Sequence, residues 1–182
     1  MNKKFEMTKE GWTFTVLFFL FAVYYSFSRL HFAKWLGVKV TFVFFNWSAM
    51  LNGLISALIL VLFYLVCTLL PSRRIVALPT VITFLVIGQE LAIAYYTLPI
   101  GDILGGLAYL VGAFSILSIA FYNAKISFNI IDSIVDADEG HYFKRWFHRV
   151  KVCLAYDWKP LAISIIVYVV IHAVMFSTYM IK

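Results

Sequence analysis

Apolar residues fall in long blocks separated by short polar breaks, and the blocks set the architecture. They cover residues 11–30, 48–70, 75–99, 103–124 and 161–181. Each is close to the ~20 residues that carry an α-helix across the ~30 Å hydrocarbon core of a bilayer at ~1.5 Å rise per residue. The pattern predicts an all-α integral membrane protein with five transmembrane helices. The first block follows Lys3, Lys4 and Lys9 but exceeds the ~7–15 residues of a signal-peptide core, and no small-x-small cleavage site follows Tyr24-Tyr25-Ser26. It is therefore read as an uncleaved span.

The breaks between blocks differ in kind. Residues 31–47 mix His31, Lys34 and Lys39 with alternating apolar positions and read as an aromatic-rich interfacial connector or a strand-like loop. Asn46-Trp47-Ser48 matches a glycosylation sequon, yet it would lie against the membrane and carries no weight. Pro71-Ser72-Arg73-Arg74 closes the second block, and Leu98 to Asp102 leave room only for a tight hairpin between the third and fourth. Pro160 is read as a first-turn residue of the fifth helix, where its missing N–H is not needed.

Residues 125–159 form the long polar stretch. Ile126, Ile130, Ile131, Ile134 and Val135 recur at helical spacing, with Asp132, Asp136, Asp138 and Glu139 mainly elsewhere on the wheel, so the fourth helix is expected to run on to Gly140. Beyond it Phe143, Trp146, Phe147, Val150 and Leu154 make an apolar stripe beside Lys144, Arg145, His148, Arg149 and Lys151. That pattern fits an interfacial helix held on anionic lipid by about 1 kcal/mol per cation. Two arrangements follow. The acidic and basic halves pair as a helical hairpin, or the acidic half, with Ile130, Asp132, Ile134, Asp136, Asp138 and Glu139, docks a cytosolic protein or a second copy. Asp136, Asp138 and Glu139 lack the internal glycine and further oxygens of a calcium loop, so no metal site is assigned.

Composition excludes a soluble domain: 63% of residues are hydrophobic and 13% charged, against about half and about a quarter in soluble chains. The formal net charge of +6 comes from basic residues scattered at the ends of apolar blocks, which argues for orientation and not for nucleic-acid binding. A cytosolic N-terminus places Arg73, Arg74 and the basic residues of 125–159 inside the cell, and leaves Arg29, Lys34, Lys39 and Lys182 outside. The expected location is the plasma or inner membrane with an external C-terminus. Cys67 and Cys153 then both lie near the cytosolic side and are expected to be reduced thiols.

Four polar residues fall inside or at the ends of the spans: Gln89, Glu90, His172 and Arg29. Glu90 lies about 22 Å beyond the cytosolic start of its helix, in the outer half of the bilayer, where a carboxylate needs a partner or water. His172 and Arg29 are the candidate partners. The contact is a buried structural pair, part of a proton or ion path, or gives way to a protonated Glu90 facing a neighbouring subunit. His172 lacks a second axial residue for haem, and no cofactor is expected. On the fourth helix, Gly105, Ala108, Gly112 and Ser115 make a smooth strip for close helix approach.

No nucleophile, base and orienting group stand at recognisable spacing, so the sequence is read as non-enzymatic. The first expectation is a homo-oligomeric membrane anchor or sensor that binds a cytosolic partner through 125–159, as in two-protein stress or antiviral defence systems or envelope machines. The alternative is an ion or proton channel or transporter subunit with Glu90 in the conduit.

Overall fold

The computed structural model describes residues 9–32, 35–70, 72–135 and 141–181. Five long helices carry the chain: α1 Lys9–Phe32, α2 Trp47–Cys67, α3 Ala77–Thr97, α4 Ile103–Val135 and α5 Tyr142–Val174. Each contains a stretch long and apolar enough to cross a membrane. Their outward faces expose Leu17, Ile59, Leu104, Phe114 and Ile163, as a lipid solvent requires.

Local chemistry explains where the helices begin and end. Asn46 caps α2, its side-chain oxygen accepting from the Ala49 N–H at 3.1 Å, so the sequon asparagine is a helix cap. Between α3 and α4, a 3-10 turn over Leu98–Ile100 leads into Gly101 at φ 75°, a left-handed conformation suited to glycine. Asp102 follows, with one carboxylate oxygen accepting from Gly105 N and the other from Val40 N at 2.7 Å. The expected tight hairpin is there, and its aspartate also holds a strand.

That strand was only half legible. Trp35–Phe42 (β1) pairs antiparallel with Met175–Ile181 (β2), with Val38 opposite Tyr179 and Val40 opposite Ser177. The fifth helix therefore stops at Val174 and not at 181, because the chain beyond it is drawn into a sheet. The sheet is seated on the helix ends by Val43 N to Val174 O at 2.9 Å and Asn46 N to Ala173 O at 2.7 Å. We call this the sheet end and the opposite one, carrying Arg73 and Tyr142, the loop end.

A second difference concerns Pro160. It lies inside α5, so the expected interfacial helix and the fifth span are one continuous element. Pro160 offers no N–H to the Tyr156 carbonyl one turn earlier, and Ser164 donates to the Pro160 carbonyl at 2.9 Å. Packing against α4 holds the helix through the break.

Two of the seams between helices show contrasting chemistry. In the first, α1 lies on α3 where Ala22, Ser26 and Gly88 meet. A Cβ on Gly88 would sit 2.8 Å from the Ala22 carbonyl oxygen and from Ser26 Oγ, so only glycine permits this approach. In the second, α4 and α5 run antiparallel around a core containing Ile116, Ile119, Ile126, Ile130, Leu161 and Tyr168.

Candidate functional site

Four helices converge on one buried carboxyl group. Glu90 of α3 is 9% exposed, and its Oε1 lies 3.8 Å from His172 Nε2 of α5. His172 is fixed from behind: its Nδ1 lies 2.9 Å from the Tyr168 carbonyl, and its ring stands 4.2 Å from the Tyr168 ring. The other two helices give way to make room. A Cβ on Gly112 of α4 would meet Glu90 Oε2 at 3.4 Å and His172 Cε1 at 3.9 Å, and one on Gly53 of α2 would meet His172 Cβ at 3.4 Å. Two glycines thus form the floor of the pair. Glu90 Oε2 has no hydrogen-bond partner.

Of the candidate partners for Glu90, His172 is beside it, and Arg29 is exposed on α1. Gln89 also points outward, from the middle of α3.

A second ionisable pair lies nearer the loop end. Lys125 Nζ of α4 is 2.8 Å from Asp157 Oδ1 of α5, and Asp157 is 5% exposed. Between the two pairs, the Ser118 and Ser164 hydroxyls meet at 2.8 Å. All three contacts fall on the α4–α5 seam in antiparallel register: Gly112 at His172, Ser118 at Ser164, Lys125 at Asp157. On α5 the positions Asp157, Leu161, Ser164, Tyr168 and His172 repeat every three or four residues, so one helix face carries the whole set. In the sequence, Lys125 and Asp157 stand out only as members of the polar stretch 125–159. The signal that could have found them is this spacing, which continues the apolar face of α5 through Pro160.

The strip on α4 resolves into separate jobs. Gly105 admits Val40 of β1 and Asp102, Ala108 packs with the cluster at the sheet end, Gly112 faces Glu90, and Ser115 is buried and donates to the Val111 carbonyl. All four serve packing within the chain.

The residues read as a docking surface on the acidic helix are placed in different surroundings. Ile130 and Ile134 are buried at 0% and 4%, because α4 and α5 close over them. Asp132 is engaged by Arg73, which donates from Nε at 2.8 Å and from a second nitrogen to the other oxygen. Asp136, Asp138 and Glu139 lie outside the described residues. Among the residues assigned to the lipid interface, Phe143, Lys144, Phe147 and Lys151 are exposed, and Arg145 and Arg149 are half-buried. Trp146 turns inward and donates from Nε1 to Thr68 Oγ1 at 2.8 Å, while Tyr142 OH donates to the Leu69 carbonyl at 2.6 Å. The indole N–H and phenol find acceptors at the end of α2, so Trp146, with Val150 and Leu154, is used for helix packing while Phe143 and Phe147 of the same stripe face outward. Both cysteines are free, Cys67 buried and Cys153 half-buried.

Fold and site together define a predominantly helical membrane protein with buried ionisable pairs between its helices. No protein family, curated protein or solved structure matches the chain.

Proposed function

We propose that this chain is a membrane subunit that conducts or transports protons, with Glu90 and His172 as the binding site. The observation that carries the reading is the geometry of the pair. A carboxyl group is held inside a helical bundle with one oxygen beside an imidazole and the other free to take a proton. Burying such a group is expensive, and intramembrane carboxylates with an incomplete shell mark ion and proton pathways. A purely structural pair would be expected to fill the second oxygen's shell. Gly112 instead brings no side chain to it, and Gly53 does the same beside His172.

The anchor reading loses its apolar contacts, since Ile130 and Ile134 are buried and Asp132 is paired. A homo-oligomer is part of the proposal, because Gln89 is exposed at mid-helix where a lipid-facing amide is unfavourable and a neighbouring copy would cover it. Orientation follows the basic residues: the loop end faces the cytosol, where Lys144 and Lys151 meet anionic lipid.

The test is flux in proteoliposomes carrying an internal pH dye, driven by a potassium diffusion potential. The wild type should acidify or alkalinise the lumen according to the sign of the potential. Glu90→Gln should abolish this while Arg73→Ala, far from the pair, should not. Equal flux in wild type and Glu90→Gln would contradict the reading.

A further inference from the structure

We propose that the α4–α5 seam is a hydrated proton path whose second station is the Lys125–Asp157 pair, so that protons reach Glu90 from the loop end. This rests on the conduit reading above. Its own support is separate from the Glu90 geometry. Two polar contacts lie in one register along this seam, Lys125–Asp157 at 2.8 Å and Ser118–Ser164 at 2.8 Å, and the same face of α5 carries His172 beyond them, 3.8 Å from Glu90 of α3. On α5 they are separated by about 10 Å and about 12 Å at ~1.5 Å per residue. About three waters at a hydrogen-bond spacing of ~2.8 Å would span each gap.

The seam has unfilled polar valences where such water belongs. Asn123 of α4 is 2% exposed, and its Nδ2 has no hydrogen-bond partner. Buried amides are almost always satisfied by protein or by ordered water. Pro160 leaves the Tyr156 carbonyl without its helical donor one residue from Asp157. The Asn123 amide and the Ser118–Ser164 hydroxyls thus lie between the two ionisable pairs in chain order, with the Tyr156 carbonyl just beyond Asp157.

The charged and titratable groups around each station are few. Glu90 faces His172 and Tyr168 on α5, and Gly112 of α4 and Gly53 of α2 lie against the pair. Asp157 faces Lys125 from α4, with Cys153 on its own helix. One proton entering at the loop end protonates the Asp157 carboxylate as the Lys125 ammonium moves off. It passes on by exchange through waters and the Ser118–Ser164 hydroxyls, each oxygen giving up one proton as it takes one. It ends on Glu90, leaving Glu90 neutral, Asp157 ionised and the Lys125 pair restored. Release from Glu90 and His172 toward the sheet end completes one proton in and one out.

The experiment is an acid jump applied to one face of oriented proteoliposomes, with the Glu90 carboxyl stretch followed by time-resolved infrared and assigned by its loss in Glu90→Gln. Acid at the loop end should raise the band promptly in the wild type. Asp157→Asn and Ser118→Ala should slow that rise by about tenfold, corresponding to ~1.4 kcal/mol on the barrier. The rise after acid at the sheet end should be unchanged. Ser118→Ala removes one hydroxyl and keeps both ion pairs, so it tests the path even where Asp157→Asn fails to fold. Unchanged rates in Ser118→Ala and in folded Asp157→Asn overturn the path and leave the Glu90 site standing. A wild type with no Glu90 band response from either face overturns the conduit reading and the path with it.

Discussion

The α1–α3 and α4–α5 seams solve the same problem, holding two helices together in an apolar solvent, with different chemistry. The first uses Gly88 against Ala22 and Ser26, an approach so close that backbone nearly touches backbone. The second uses Lys125–Asp157, Ser118–Ser164 and a pair at Gly112. Lipid tails give little hydrophobic drive to helix association, so small-residue contact alone is enough to pack two helices. Polar pairs across helices are a second ordinary means of association in lipid, and the proposal gives those along α5 a further task as proton stations.

The comparison can be broken in order of effect. The largest is expected from Lys125→Met, which leaves Asp157 buried and unpaired. Unfolding in detergent should show a loss of about 3–5 kcal/mol, most of it regained in Lys125→Met/Asp157→Leu. If the double variant stays as unstable as the single one, the pair is part of the packing after all. Next comes Gly88→Leu, which forces α1 from α3 and should cost about 1–3 kcal/mol by the same assay. Flux should fall only as far as folded protein is lost. Gly101→Ala should cost about 1 kcal/mol by placing a Cβ at φ 75° in the α3–α4 turn. The smallest change belongs to Asp132→Ala. Its partner Arg73 is 56% exposed, so loss of the contact should cost less than about 1 kcal/mol and fade further in high salt.

How much of this could be read from the chain depends on where the relevant partners sit. The five helices follow from apolar length alone, and the α3–α4 turn from Leu98-Pro99-Ile100-Gly101-Asp102, because both signals are local. Glu90 stands out because a carboxylate in an apolar block is costly wherever the fold puts it. Its choice of His172 over Arg29 depends on helix rotation, which one sequence does not supply. The sheet is only half legible for a similar reason: the alternation in 31–47 hints at β1, but its partner β2 is far away in the chain and merges with the fifth apolar block. Pro160 misled because a proline rule for isolated helices was outweighed by the packing of α5 on α4. The isoleucines of the acidic helix showed an amphipathic face correctly, but a periodic face names no occupant. Here it is the rest of the bundle that covers Ile130 and Ile134.

The most direct measurement is a static infrared pH titration of the purified protein, reading the Glu90 carboxyl stretch against Glu90→Gln and against His172→Gln. The account predicts a protonated-carboxyl band that comes and goes reversibly with pH, vanishes in Glu90→Gln and shifts its midpoint in His172→Gln. A Glu90 that holds one protonation state throughout, with or without His172, would make the pair a fixed structural element and contradict the proton-binding site on which the account rests.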